Sequence, residues 1–329
     1  MDFVIIGLGS MGKRRIRLLL ENFNGVGIIG IDSNECRRKQ LEDSYNIRTY
    51  GSLDEALKFE QPSASFICTS PISHASLITK CLEFGMHVFT ELNLLRDNYN
   101  DIMGKAQSKG LKLFLSSTFL YRKEINFIQS ELNKLHKKVN YRYHVGQYLP
   151  DWHPWESYKD FFVANKRTNG CREIMAIEFP WIIKTFGKID KVFSLSNKIT
   201  TLDINYDDNY TIVIQHRNGN MGTINIDIAS RKSIRSLEVY NEDIYLTWEG
   251  TPETLSLYDI NQKIVKKINT YEDIERDARY SSNIIENAYL KEIEVFFDYL
   301  LNNRTDEIKY TFEEDLYTLS IIDEIEGVK

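Results

Sequence analysis

The feature that most constrains this chain is the glycine pattern near its start, in the sequence DFVIIGLGSMGKRRIRLLL. An apolar run that predicts a buried strand leads directly into Gly7, Gly9 and Gly12, and helical apolar spacing follows. In such a unit the first glycine permits the tight turn, the second admits a diphosphate close to the backbone, and the third lets the helix pack against the strand. Asp32 ends the next predicted strand about 20 residues later, where a carboxylate can bond ribose hydroxyls. The pattern therefore predicts a dinucleotide-binding fold.

The cofactor predicted from this unit is NAD, because a carboxylate at Asp32 would repel the 2′-phosphate of NADP. Arg37 and Arg38 lie nearby in the sequence and keep NADP possible. Lys13, Arg14 and Arg15 are interpreted as a solvated face of the first helix. The residues that we expect to bind the cofactor in this unit are Gly7, Gly9, Ser10, Met11, Gly12 and Asp32.

Strand-like and helix-like patterns alternate over residues 1–120, which predicts an α/β domain with a doubly wound parallel sheet. Residues 121–329 contain a run of strands flanked by helices, which predicts an α+β substrate and oligomerisation domain on an open, mainly antiparallel sheet. Within it, Asn218-Gly219 predicts a hairpin turn. Thr311 and Glu314 predict a capping box, and Pro180 is expected to interrupt a long apolar helix.

Charge and composition exclude some classes of partner. The net charge is −6, from 41 basic and 47 acidic residues, which disfavours nucleic acid. No apolar run approaches about 18 residues, so no membrane span is expected. The start of the chain lacks the basic segment of a signal peptide, and the four cysteines match no zinc spacing. We therefore expect a cytoplasmic protein with free thiols and no metal.

Four stretches together resemble the Gfo/Idh/MocA family of NAD(P)-dependent sugar oxidoreductases. They are VIIGLGSMGKRRIRLL, FICTSPISHASLITKCLEFGMHVFTEL, YLPDWHPWESY and NGCREIMAIEFPWIIKTFG. The resemblance implies a Rossmann domain followed by a sheet domain whose sheet often serves as an oligomer face, hence a homo-dimer or homo-tetramer. It also implies that the cofactor is contacted by Thr69, Ser70, Pro71, His74 and Glu91.

Two departures from the family pattern affect the expected chemistry. The family's Glu-Lys-Pro motif falls on Glu91, Leu92 and Asn93, so its lysine is missing. The histidine that usually acts as general acid or base falls on Glu178, or on Ile177 if the register slips by one residue. We therefore interpret the chain as an atypical member that lacks the usual lysine and histidine.

The candidates for moving the proton are Glu178, His153 and Glu91, since a carboxylate or an imidazole can transfer protons. For Glu178 the alternative is a purely structural pairing with Arg172 or another cation. Arg172 itself is also a candidate clamp for a substrate carboxylate or phosphate.

The loop YLPDWHPWESY presents flat rings and a titratable imidazole, a combination that suits sugar rings. The alternative is that this loop only caps the domain or forms a dimer contact. The residues that we expect to contact the substrate are Tyr148, Trp152, His153, Trp155 and Arg172.

The predicted function is an NAD(P)-dependent oxidoreductase acting on a sugar, with atypical proton carriers. The resemblance of GLGSMGKRR and DWHPWESY to family members of bacterial surface-glycan synthesis implies a nucleotide or amino sugar as the substrate. One alternative is a reductase of an imine or keto group, which needs less proton relay. The other is a non-catalytic dinucleotide-binding subunit whose missing lysine and histidine reflect lost chemistry.

Overall fold

The computed structural model describes residues 1–154, 156–277 and 284–328. Across these residues, no helix combines the length and apolar character needed to cross a membrane. The strands are β1 (Asp2–Ile6), β2 (Gly27–Ile31), β3 (Arg48–Tyr50), β4 (Ala64–Ile67), β5 (His87–Thr90), β6 (Leu113–Leu115), β7 (Asn140–Gly146), β8 (Ile189–Asn197), β9 (Asn209–His216), β10 (Met221–Asp227), β11 (Ile234–Tyr240), β12 (Tyr245–Trp248), β13 (Ser256–Asp259) and β14 (Ile264–Lys267). The helices are α1 (Ser10–Asn22), α2 (Glu35–Tyr45), α3 (Leu53–Ala56), α4 (His74–Glu83), α5 (Tyr99–Lys109), α6 (Lys123–Asn133), α7 (Gly170–Phe186), α8 (Glu286–Asn302) and α9 (Phe312–Ile325).

The chain divides into two compact units. The first unit comprises Met1–Ser117 and Leu290–Leu316, and the second comprises the remaining residues. The sequence analysis instead assigned everything after residue 120 to one second domain. Most of α8 joins the first unit because Phe296 packs in its core, 5.5 Å from the ring of Phe66 and 5.6 Å from that of Phe114.

The first unit holds a six-stranded sheet in the order β3-β2-β1-β4-β5-β6, and every pairing in it is parallel. The chain runs from β1 outward to β3 and then returns beyond β1 to β4. In open parallel sheets of this kind, ligands bind outside the carboxyl ends of the strands where the order reverses. The predicted doubly wound parallel sheet is confirmed, and its switch point lies after β1 and β4.

The second unit holds an eight-stranded sheet in the order β14-β13-β12-β11-β7-β10-β9-β8. All of its pairings are antiparallel except β7 with β10, so the predicted mainly antiparallel sheet is confirmed. Helix α7 packs against one face, where Phe186 stacks on Tyr141 with ring centroids 3.9 Å apart. On the opposite face, Phe193, Leu195 and Val213 are exposed.

The local structures predicted from short sequence patterns can be compared directly with the structure. The hairpin turn has Gly219 at φ +88°, and the capping box of Thr311 and Glu314 forms in both directions. The expected interruption at Pro180 is wrong, because α7 continues through it to Phe186. The short strands β3 and β14 are additional elements that no pattern in the sequence predicted.

Candidate dinucleotide cradle and acid–base residues

The turn between β1 and α1 requires glycine at two positions for steric reasons. Gly7 has φ +93°, and a Cβ there would lie 2.7 Å from the carbonyl oxygen of Cys68. A Cβ on Gly12 would lie 1.9 Å from the carbonyl oxygen of Gly7. No real Cβ makes such contacts, so these two glycines set the turn and bring α1 against the strand.

Gly9 differs from the other two glycines, because the space beside it is open. The nearest heavy atom to a Cβ built there is Nη1 of Arg37, 4.0 Å away. Gly9 is also the N-cap of α1 and has no side chain that could cap the first turn, which begins with Ser10 and Met11. A diphosphate needs an open approach to the N-terminus of a helix, and the space beside Gly9 provides it, so these residues fit a dinucleotide.

Asp32 follows β2 directly, and its carboxylate is fixed by backbone donors. The amide of Leu8 donates to Oδ2 at 2.8 Å and the amide of Asn34 donates to Oδ1 at 2.8 Å. Nη1 of Arg37 lies 3.7 Å from Oδ2, and Nη1 of Arg38 donates to the Asp32 carbonyl at 2.7 Å. The carboxylate is therefore held at the mouth of the glycine turn, with two arginines beside it.

The segment after β4 is tied together by hydrogen bonds around His74. Nε2 of His74 lies 3.0 Å from the Thr69 carbonyl, and Nδ1 lies 2.7 Å from Oδ1 of Asn93. Ser70 and Pro71 open a short 3-10 turn between Thr69 and His74. Burial lowers the pKa of His74, partly offset by these hydrogen bonds, so a neutral imidazole holds the loop in place.

Glu91 directly follows β5 and is paired with a buried arginine. Nε of Arg15 lies 2.6 Å from Oε1 of Glu91, and Nη2 of Arg15 lies 2.8 Å from Oε2 of Glu292. Ser116 donates to the same Glu292 at 2.9 Å. The interpretation of Arg14 and Arg15 as a solvated helix face is therefore wrong, since both are buried.

Glu178 is completely buried in the second unit and its two oxygens are occupied by donors. The hydroxyl of Tyr143 and Nε1 of Trp181 each donate to Oε2 at 2.6 Å. Nη2 of Arg235 donates to Oε1 at 2.6 Å, and its Nε at 3.1 Å. Glu178 therefore has a cationic partner, as the structural alternative predicted, and of the cations left open there (Arg172 or another) the partner is Arg235.

Arg172 is engaged elsewhere in the second unit. Its Nη2 lies 2.7 Å from Oδ1 of Asp323, and its Nη1 bonds Glu326. Both carboxylates belong to the end of the chain, so this buried arginine ties the start of α7 to its C-terminal segment.

The aromatic loop places its residues around a small cleft. Nε1 of Trp152 donates to the Gln147 carbonyl at 3.0 Å, and the ring of His153 lies 4.8 Å from that of Phe161. Burial lowers the pKa of His153, partly offset by Glu156. The cleft is lined by Leu149, Pro150, Trp152, His153, Glu156, Tyr158, Phe161 and Val163. The ring of Tyr148 lies 4.2 Å from the guanidinium of Arg231, and Trp155 lies outside the described residues.

Sequence reasoning missed Arg15, Tyr143 and Arg235, which complete the charged clusters around Glu91 and Glu178. They lie 76, 35 and 57 positions from the carboxylates they contact. No local spacing connects residues so far apart in the sequence. The only available indication is the alternation of side chains along β7 and β11, which places Tyr143 and Arg235 on one or the other face of the sheet.

Residues 1–114 match the sequence model of the GFO_IDH_MocA family, described as an oxidoreductase family with an NAD-binding Rossmann fold. The chain is similar to a 4-carboxy-2-hydroxymuconate-6-semialdehyde dehydrogenase of Sphingobium sp., with 27% identity over 40% of this chain and 43% of the relative. It is also similar to biliverdin reductase A of Mus musculus, with 29% identity over 39% of this chain and 43% of the relative. Each match spans less than half the length of these curated relatives.

The full chain shares its fold with the WlbA dehydrogenase of Chromobacterium violaceum, solved in complex with NADH and UDP-GlcNAcA. The TM-score is 0.78 at 13% identity, and the match covers 100% of this chain and 93% of the other. This likeness concerns the fold alone, and it covers residues of both units.

Proposed function

We propose that this chain, whose residues 1–114 match the NAD-binding Rossmann fold of the Gfo/Idh/MocA oxidoreductases, is an NAD(P)-dependent oxidoreductase acting on a sugar. We further propose a nucleotide or amino sugar of bacterial surface-glycan synthesis as its substrate, and the cytoplasm as its compartment. The observation that carries the proposal is the glycine turn, which combines two sterically required glycines with an open position at Gly9. The fold shared with a dehydrogenase solved with UDP-GlcNAcA supports a nucleotide sugar as substrate.

When bound, the nicotinamide supplies hydride transfer, and the chain positions the partners and manages the proton. In this proposal the first-turn amides of α1 hold the diphosphate, and Asp32 accepts hydrogen bonds from the adenosine ribose. Because Asp32 would repel a 2′-phosphate, NAD is preferred. The neutral imidazole of His74 keeps the Thr69–Pro71 segment shaped for the cofactor.

The three proton carriers predicted from the sequence, Glu91, Glu178 and His153, differ in the groups that they contact. Glu91 and Glu178 each pair with an arginine nitrogen at 2.6 Å, so an oxygen of each carboxylate is already engaged by a donor. His153 keeps a lowered pKa through burial, so it is neutral near pH 7 and able to accept a proton. We therefore assign acid–base work in the aromatic loop to His153, and a positioning role to Glu91 and Glu178.

The proposal is tested by steady-state NAD reduction over a panel of nucleotide sugars, including UDP-GlcNAcA and UDP-N-acetylglucosamine, with calorimetric binding of NAD and NADP in parallel. We expect micromolar to millimolar KM for at least one member. Binding of NAD without turnover of any panel member would support the non-catalytic subunit instead. Absence of binding to either dinucleotide would refute the proposal as a whole.

A second candidate function is the reduction of an imine or keto group. The pairing of Glu91 and Glu178 with arginines favours it, since an activated substrate needs less help with protons than an alcohol does. The similarity to biliverdin reductase A also supports it. Such an enzyme would consume NADH or NADPH with keto or imine substrates and show no oxidation of the sugar panel.

We also propose that the chain forms a homo-dimer or homo-tetramer through the open face of its second sheet. Phe193 and Leu195 on β8 are 69% and 79% exposed, and Val213 lies beside them on β9. Exposed apolar side chains grouped on one sheet face are typical of an association surface.

A further inference from the structure

Arg37 and Arg38 both lie in the first turn of α2, beside Asp32, but their guanidinium groups are held differently. Nη1 of Arg38 donates to the Asp32 carbonyl at 2.7 Å and to the Ser33 carbonyl at 3.2 Å, so Arg38 is fixed to the backbone after β2. The side chain of Arg37 is 48% exposed, and its Nη1 lies 3.7 Å from Oδ2 of Asp32, which is longer than a hydrogen bond. Arg37 is therefore the more weakly held of these two cations.

The carboxylate of Asp32 does not depend on Arg37 for its position. Its Oδ2 accepts a hydrogen bond from the Leu8 amide and its Oδ1 accepts one from the Asn34 amide, each at 2.8 Å. A half-exposed ion pair at 3.7 Å contributes little, because water screens it and the long side chain loses conformational freedom. The guanidinium of Arg37 can therefore leave Asp32 at little cost, and a ligand that offers a stronger acceptor can recruit it.

Arg37 lies on the side of α2 that faces the glycine turn. Its Nη1 would be 4.0 Å from a Cβ on Gly9. Gln40 lies three residues later on the same face of α2, and its Oε1 accepts a hydrogen bond from Nζ of Lys13 on α1 at 2.6 Å. The guanidinium of Arg37 thus lies at the rim between Gly9 and Asp32, where the adenosine ribose of the proposed dinucleotide would bind.

We propose that Arg37 is a specificity-determining residue that admits a 2′-phosphate to the coenzyme site, so that the chain binds NADP as well as the preferred NAD. This inference rests on the oxidoreductase function proposed above. With NAD, Asp32 accepts hydrogen bonds from the ribose and Arg37 stays at the rim. With NADP, the guanidinium of Arg37 pairs with the phosphate oxygens, for which its planar fork is suited, and offsets their repulsion by Asp32. Arg38 does not take this role, because its Nη1 is engaged by two backbone carbonyls.

The test is calorimetric titration of NAD and of NADP into wild type, Arg37→Ala and Lys39→Ala. Lys39 is exposed on the same helix and lies about 200° around it from Arg37, so its substitution removes the same charge from another side. We expect Arg37→Ala to raise the Kd of NADP roughly 10- to 100-fold, as expected for one lost hydrogen bond to a charged group. The Kd of NAD should change less than about threefold, because only a weak surface pair is lost. Lys39→Ala should keep the wild-type ratio of the two Kd values.

The outcomes separate the role of Arg37 from the proposed function. An unchanged ratio of Kd values in Arg37→Ala, or a wild-type chain that binds NAD but no NADP, overturns the role of Arg37 and leaves the proposed function intact. An equal rise of the ratio in Lys39→Ala indicates a general effect of charge and also overturns this role. Absence of binding of both dinucleotides to wild type overturns the proposed function, and this inference with it. Should the alanine variant fold poorly, Arg37→Gln replaces it with the same expectations.

Discussion

Substitution of Gly9 by alanine separates cofactor binding from folding, because only Gly9 of the three turn glycines has room for a Cβ. The nearest protein atom would be 4.0 Å away, and the φ of −73° is ordinary for alanine, so the fold should persist. The added methyl would project towards the space that a diphosphate needs beside the first-turn amides. A hydrogen bond to a charged group contributes about 1.5–3 kcal/mol. Loss of one such bond should weaken NAD binding roughly 10- to 100-fold.

The assay is calorimetric titration of NAD into wild type, Gly9→Ala and Gly104→Ala. Gly104 lies within α5 of the same unit, and a Cβ there meets no atom within 4 Å. Gly104→Ala should therefore leave NAD affinity unchanged and stabilise the unit by about 0.5–1 kcal/mol. Unchanged affinity in Gly9→Ala, with wild-type unfolding temperature, would show that the diphosphate does not lie over Gly9.

Four further expectations follow from the two units. Asp32→Ser should narrow or reverse the preference for NAD over NADP, because the carboxylate that repels a 2′-phosphate is removed while Arg37 stays; this is read from the ratio of kcat/KM values. Glu178→Gln should destabilise the second unit by about 3–5 kcal/mol in urea unfolding, since the half-buried guanidinium of Arg235 loses its buried counter-charge; a loss under 1 kcal/mol would contradict the pairing. Because burial raises the pKa of Glu173 to about 8 from an ordinary 4.5, the folded state favours the protonated carboxyl. Its contribution to stability is present below pH 4.5 and is lost as pH rises through about 8, and this pH dependence should be absent from Glu173→Gln. Phe193→Asp should convert an oligomer to monomers in light scattering without changing the circular dichroism spectrum, and an unchanged mass would exclude that face.

The parts of the fold that the sequence predicts are those governed by neighbouring residues. The glycine turn, the Asn218-Gly219 hairpin and the capping box of Thr311 and Glu314 each depend on a few adjacent positions with fixed backbone requirements. The parallel sheet is predicted where strands alternate with helices along the chain, and the mainly antiparallel sheet is predicted where several strands follow one another. The continuation of α7 through Pro180 could not be predicted from the sequence, because it depends on tertiary packing. The burial of Phe179 and Trp181 outweighs the one backbone hydrogen bond that proline removes.

The chemistry of the site depends on pairings that local patterns do not encode. Arg15 is read from spacing as exposed, yet it is buried between Glu91 and Glu292, which lie 76 and 277 positions away. The role expected of Glu178 likewise depends on Arg235, a residue of another strand. A family alignment transfers positions, whereas the ability to move a proton is set by partners that the alignment does not contain.

The pairings of Glu91 with Arg15 and of Glu178 with Arg235 bear on which of the predicted groups is suited to proton transfer. Glu178 has a nitrogen of Arg235 2.6 Å away and also accepts hydrogen bonds from Tyr143 and Trp181, so both of its oxygens are engaged by the protein itself. Replacing a catalytic group in this way is tolerated by an active enzyme only if another titrating group lies close to the substrate. Among the three candidates predicted from the sequence, His153 fits this requirement best, because it lines the cleft and burial lowers its pKa, which leaves the imidazole neutral near pH 7.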